Sequence, residues 1–412
     1  MHRSRSWVRV AGVIIAVALA AALASSAAAG RFPLWLRPAP GPPAGPAAAG
    51  GDSPSPRATP SPRATTAPEP AALPALSVRQ MAGQRVIYSY NGLRPPAALL
   101  RLIRHGEVGG VIFFSQNVSS PPQIASVIAE LDQANASPLN PVRAPLLLMT
   151  DQEGGQVRRV PGAPLLSERQ IGESADPAAE AAGAGTSAGL NLRGMGINVN
   201  LAPVLDVYRQ PGDFDDQFQR SYSMNPAVVS ELGADFIRAQ QAAGVAATAK
   251  HFPGLGAAAQ PQNTDLRPVT LNVPLATVRN TDELPYRAAI AAGVRLVMVS
   301  WAVYPALDPG RPAALSPAIV GGELRQRLGF TGVTITDALE AGALRAYGTF
   351  GHRGLLAAAA GMDLILCSQR DISEGEQAAA GLASGYLDGQ LARPAFLAAL
   401  QRVLALRASL GG

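Results

Sequence analysis

The sequence predicts an α/β fold, a single (β/α)8 barrel, on three observations. Eight short apolar runs recur across residues 76–412. Most are continuous rather than alternating, the pattern of parallel strands covered on both faces. Ala-rich stretches of helical character separate them, giving the strand–helix alternation of a parallel barrel. A doubly wound open sheet is the competing arrangement, weakened because no Gly-rich dinucleotide or phosphate loop follows any run.

The runs, in chain order, are RVIY (85–88), GVIFF (110–114), LLLMT (146–150) and INVNLAPVL (197–205). VAATA (245–249), RLVMVS (295–300), VTIT (333–336) and MDLILC (362–367) complete the set. The helical stretches ELGADFIRAQQAAG and TDELPYRAAIAAG end at Gly244 and Gly293, placed where a glycine terminates a helix in the left-handed conformation. About 45 residues follow the last run, room for a helix or two and no second catalytic domain. Cys367, the sole cysteine, closes an apolar run and reads as a buried thiol; one cysteine allows no internal disulfide.

Ahead of the barrel lie two segments of different composition. Arg3, Arg5 and Arg9 precede an uncharged run to Gly30, the layout of a secretory signal or of a retained N-terminal membrane anchor. Residues 31–75 are rich in Pro, Ala, Gly, Ser and Thr, which cannot bury enough apolar area to offset ordering entropy; they read as a disordered, extended spacer. Together these segments predict a secreted or extracytoplasmic protein that meets a membrane only through its N-terminal segment. The formal net charge of +5 belongs to this region, where seven arginines face only Asp52 and Glu69. The barrel region is therefore neutral and carries no polyanion-binding face, so nucleic acid is not an expected partner. A monomer is expected.

A barrel places its functional groups at the C-terminal ends of its strands. Polar residues stand at four such ends: Asp151, Asp206, Lys250 with His251, and Asp337. Asp and Lys are rarely buried unpaired, so a converging set points to a site. Lys250 is the only lysine in the chain, and every other basic side chain is arginine. A compact ammonium with three rotatable donors suits several convergent oxygens where a planar guanidinium would not fit. Of four histidines, His2 is in the N-terminal segment, while His105 and His352 lie in helical regions without evident partners, so no metal cluster is expected. No G-x-S-x-G elbow supports a serine hydrolase. Carboxylates with cations on one rim fit sugar chemistry or proton abstraction, and Asp337 is positioned as a carboxylate nucleophile of a retaining glycosidase.

Five ordered motifs, DQEGGQVRR (151–159), GINVNLAPVLDV, RSY (220–222), KHFPGLG (250–256) and TDAL (336–339), resemble the single-domain β-N-acetylglucosaminidase branch of glycoside hydrolase family 3. The resemblance covers residues 76–412. It implies a TIM-type barrel, no cofactor, and a substrate glycan bearing β-linked N-acetylglucosamine of the kind found in cell walls. It further implies that Asp151, Arg159, Arg220, Lys250 and His251 bind the sugar and that Asp337 is the nucleophile. Asp206 takes a structural or supporting role.

The chain departs from the family at the proton donor. The branch carries K-H-F-P-G-H-G-x4-D-S-H, whose final Asp and His fall here on Pro261 and Asn263. Asp265, two residues on, is the replacement candidate, and it also suits a turn in NTD. Asp213, Asp215 or Asp216 could swing in instead, although they read more readily as solvated loop charges. Trp301 is either a sugar-stacking ring or a packing residue. The activity expected is that of a retaining β-N-acetylhexosaminidase; a weakened glycan-binding barrel is the alternative.

Overall fold

The computed structural model describes residues 75–411. The expected signal or anchor at 1–30, and all but the last residue of the 31–75 spacer, lie outside the described residues. Eight strands form one parallel sheet: β1 (Val86–Tyr88), β2 (Gly110–Ile112), β3 (Leu147–Thr150), β4 (Val199–Asn200), β5 (Ala246–Phe252), β6 (Leu296–Val299), β7 (Val333–Thr336) and β8 (Ile365–Leu366). Each pairs with the next in sequence through β7, and β1 pairs with β8. A parallel bridge between Ile335 and Leu364 joins the remaining edges, so the sheet closes as a (β/α)8 barrel.

The barrel interior is filled by Ile87, Ile112, Leu147, Met149, Val199, Leu296, Met298, Val333 and Ile335, all nearly or fully buried. Val403 and Leu406, from the helix Arg393–Ser409, join the same cluster. Burying a side chain of this size contributes roughly 1.5–3 kcal/mol, which explains why continuous apolar runs mark these strands so clearly.

Two strands differ from the sequence reading. The run at 197–205 forms regular ladder only at Val199–Asn200, because Pro203 has no N–H to offer a neighbour. Strand β5 instead continues past Ala249 to Phe252, with an irregular register against β6 between those residues. In a regular strand Lys250 and His251 would point to opposite faces; at the irregularity both side chains reach the same cleft. The helix Pro226–Ala242 starts five residues ahead of the ELGADFIRAQQAAG stretch, with the Asn225 side chain accepting from the Ala227 amide. Gly244 and Gly293 follow the Pro226–Ala242 and Leu284–Ala291 helices with φ of 90° and 76°, the left-handed termination expected of them.

Candidate active site

A cleft of about 850 Å³ opens at the C-terminal ends of the strands, and the seven residues given catalytic or binding roles from the sequence line it: Asp151, Arg159, Arg220, Lys250, His251, Asp265 and Asp337. They come from loops after β3, β4, β5 and β7 and from β5 itself.

The floor is an ion-pair network. Lys250 is buried, and its Nζ lies 2.8 Å from Asp151 Oδ1 and 2.8 Å from Glu153 Oε1. Arg220 grips Glu153 through both Nε (2.8 Å) and Nη2 (2.9 Å), while its Nη1 reaches Asp215 Oδ1 at 3.1 Å. Burial alone would push Glu153 upward, but the Arg220 guanidinium and Lys250 ammonium hold its carboxyl well below the ordinary range. Glu153 thus binds two cations at once, in a crowded interior where a second planar guanidinium would compete with Arg220 for its oxygens. That geometry gives the lone lysine its physical reason. Arg220 spends at least three N–H groups on carboxylates, so much of its work is to hold Glu153 and Asp215 in place. Arg159 differs: it lines the cleft, and its buried Nε has no hydrogen-bond partner among the described residues.

His251 is held from behind. Its Nδ1 lies 2.7 Å from Asp206 Oδ2, while Asp206 Oδ1 accepts from the Leu255 amide (2.6 Å) and the His251 amide (3.3 Å). Burial, with the Arg220 charge, lowers the imidazole to about 4. A neutral ring donating from Nδ1 to a carboxylate presents a bare Nε2 as acceptor, a role suited to a sugar hydroxyl. Asp206 in turn meets Asp215 carboxyl to carboxyl, and burial raises the two to about 6 and about 7 respectively. Asp215 Oδ2 has no donor of its own among the described residues, so the pair shares a proton. The donor atoms of Asp206, Asp215 and His251 lie within 4.8 Å of one another, a spacing that could hold a cation. The Arg220 guanidinium already supplies positive charge there.

Asp337 follows β7 and accepts from the Ala338 amide at 2.8 Å. The same residue is anchored on its other side, because Trp301 Nε1 donates to Ala338 O at 2.8 Å. Trp301 is fully buried and absent from the cleft wall, so it packs rather than stacks on a sugar. Asp265 sits across the cleft on the loop after β5. Asn263, which stands where the family motif has histidine, accepts the Asp265 amide through Oδ1 at 2.8 Å. The turn is therefore built by Asn263, and the Asp265 carboxylate makes no hydrogen bond among the described residues. Gly342 N donates to Asp265 O (2.7 Å) and Ala343 N to Thr264 O (2.9 Å), tying this loop to the segment after Asp337. Desolvation raises both carboxyls, and the charge of Asp265 raises Asp337 further. Two such carboxyls, facing one cleft, divide naturally into one protonated and one ionised.

Asp213, Asp215 and Asp216 are not solvated loop charges. Asp213 caps the Arg209 and Gln210 amides (2.9 Å each), and Asp216 holds Gly212 N and Arg169. All three are at most 3% exposed, so none is free to swing into the cleft. Sequence reasoning missed Glu153, although it lies inside the quoted DQEGG motif, and missed Glu340, which lines the cleft three residues after Asp337. No motif marked Glu340, since its partners lie 28 residues and more along the chain.

The profile of the glycosyl hydrolase family 3 N-terminal domain matches residues 76–406. The chain belongs to glycosyl hydrolase family 3. It is 46% identical over 337 residues to a protein of Arthroderma benhamiae named an uncharacterized secreted glycosyl hydrolase, covering 82% of this chain and 95% of that protein. It is 34% identical to a β-hexosaminidase of Thioalkalivibrio sulfidiphilus, over 65% of this chain and 75% of that one. The family 3 β-N-acetylglucosaminidase structure from Paenibacillus sp. FPU-7 superposes with a TM-score of 0.77 at 35% identity. That match covers 82% of this chain and 63% of the Paenibacillus chain. This family 3 protein is an O-glycosyl hydrolase acting on carbohydrate, built on the barrel its sequence predicts.

Proposed function

We propose that this family 3 hydrolase is a secreted, retaining β-N-acetylhexosaminidase that removes terminal β-linked N-acetylglucosamine from cell-wall-type glycans. Asp151, Arg159, Arg220, Lys250 and His251 bind the non-reducing sugar directly or hold its ligands. Asp337 attacks the anomeric carbon to form a covalent glycosyl-enzyme, and Asp265 protonates the departing glycosidic oxygen. Water then attacks the glycosyl-enzyme, with Asp265 taking its proton.

One observation carries the assignment of the acid. Among the described residues lining the cleft, Asp151 and Glu153 are bound to cations, Glu340 to Ser368 and Asp337 to an amide, whereas the Asp265 carboxylate has no partner. It retains open surface at the cleft mouth while surrounding protein raises it from its ordinary value, the direction an acid requires. The loop tie to Gly342 and Ala343 supports its standing opposite Asp337. The relatives named as hexosaminidases support the choice of sugar, and the N-terminal segment with the relative named as secreted supports the location.

The test compares an activated aryl β-N-acetylglucosaminide with an unactivated disaccharide. Asp337→Asn is expected to abolish turnover of both. Asp265→Ala is expected to lower disaccharide turnover by about 10²–10⁴-fold and to spare the aryl substrate's glycosylation step, because that leaving group needs little protonation. Wild type as inert as Asp337→Asn on both substrates would leave a glycan-binding barrel. An α-configured first product by NMR would exclude retention.

A further inference from the structure

The cleft has a second wall, formed after β7 and β8, that the sugar-gripping residues do not occupy. Glu340 stands on it beside Ser368 and Arg370. Ser368 Oγ donates to Glu340 Oε1 at 2.7 Å, and the Ser368 amide approaches Oε2 at 3.4 Å. Behind them, Glu374 lies in the first turn of the helix Ile372–Leu387 and is fully buried. Its Oε2 accepts from the Gln369 amide at 2.9 Å, while its Oε1 has no donor among the described residues. The remaining neighbour is the carboxyl of Glu340, close enough for its charge to raise Glu374. Two ionised carboxyls so placed repel, so the pair holds a proton. It resides on Glu374, the buried member, since a charge there would lack solvent.

We propose that Glu340 is the acceptor for a hydroxyl or amide N–H of the leaving sugar, fixed in a cleft-facing pose by Ser368 and by the acid proton of Glu374. The proposal rests on the glycosidase reading, in which Asp265 marks the leaving-group side. Glu340 is close enough to Asp265 for its charge to raise that carboxyl, and the β3–β5 rim opposite is already committed to the non-reducing sugar. Glu340 thus selects a sugar leaving group over one without donors, and Glu374 acts through it as a positioning residue. The groups facing Glu374 are Glu340, the Arg353 guanidinium and the Cys367 thiol. Arg353 donates to the Gly348 and Leu339 carbonyls. Burial and the Glu340 charge push Glu374 up to about 9, so the arrangement persists across neutral pH.

The test uses the Asp337→Asn protein, to prevent turnover, and measures its affinity for N-acetylglucosamine and for the β-1,4-linked disaccharide of that sugar. Adding Glu340→Gln is expected to lower the disaccharide-to-monosaccharide affinity ratio about tenfold, the scale of one hydrogen bond to a charged group. Glu374→Gln, whose amide can donate as the acid does, is expected to keep the ratio at pH 7, and Glu374→Ala to lower it like Glu340→Gln. As pH passes about 9 the ratio of the parent falls, and that of Glu374→Gln does not. A ratio within twofold of the parent in Glu340→Gln, or a Glu374→Gln as weak as Glu374→Ala at pH 7, overturns the proposal. Aryl-glycoside cleavage by the wild type, measured alongside, reports the catalytic reading separately; failure to bind either sugar overturns both.

Discussion

Replacing Glu374 by Gln is expected to stabilise the protein at neutral pH, by an amount that grows with pH. Glu374 has an ordinary value of 4.5 when unfolded and about 9 in the native state, raised first by burial and then by the Glu340 charge. Between those values the native state keeps a proton that the unfolded chain releases. Stability from this group is therefore fully present below pH 4.5 and lost progressively as pH rises toward 9. Each unit costs about 1.4 kcal/mol, so the wild type has given up about 3 kcal/mol by pH 7. In Glu374→Gln neither state titrates; the amide donates to Glu340 and its oxygen accepts the Gln369 N–H. The assay is the urea midpoint of both proteins at pH 5, 6, 7 and 8. The stability difference is expected to widen steadily across this series, approaching about 3 kcal/mol at pH 7. A constant difference, or a wild type more stable at pH 8, would refute the shared-proton argument.

Three further outcomes follow from the same geometry. Glu153→Gln leaves Lys250 and Arg220 short of a buried counter-charge, and is expected to cost about 3–5 kcal/mol by thermal or denaturant unfolding. Because Glu153 is held below its ordinary value, the stability it supplies is present above pH 4.5 and lost as the medium becomes strongly acidic, so the penalty shrinks in acid. Asp206→Asn removes the acceptor that orients His251 from 2.7 Å; kcat/KM on the aryl substrate is expected to fall about 10–100-fold, with little change in the unfolding midpoint. Gly342→Ala puts a Cβ 2.2 Å from the Leu266 carbonyl, a backbone atom that cannot rotate aside. Displacing the Asp265 loop in this way is expected to lower disaccharide turnover more than aryl-glycoside turnover, read from the two kcat values.

The barrel was legible because its strands are buried on both faces, and such burial writes itself into consecutive apolar residues. Asp151, Lys250, His251 and Asp337 were legible because each stands at a strand end within a motif of several residues; Arg159 and Arg220 were marked by their motifs alone, and Asp265 by its loop. Legibility failed wherever a role depends on what lies across space. Lys250 is marked by being the sole lysine, but only the fold brings Glu153 and Arg220 around it. Asp215 looks like loop charge until Asp206 and Arg220 are found against it. Trp301 resembles a sugar platform until its indole is seen holding the residue after Asp337.

The sequence by itself determined the strand count, their order, the rim on which the chemistry sits and the loss of the family's Asp-His donor. Tertiary structure alone decided which carboxylates are available. Asp265 stands unpartnered among the described residues, while Glu153 and Glu340 are committed to cations and a serine 28 residues away or more, and Asp215 to Asp206 and Arg220. The reason is physical. Apolar burial is a property each segment carries in its own composition, whereas the protonation and orientation of a carboxyl depend on its neighbours through a few ångströms of space, and composition does not record those neighbours.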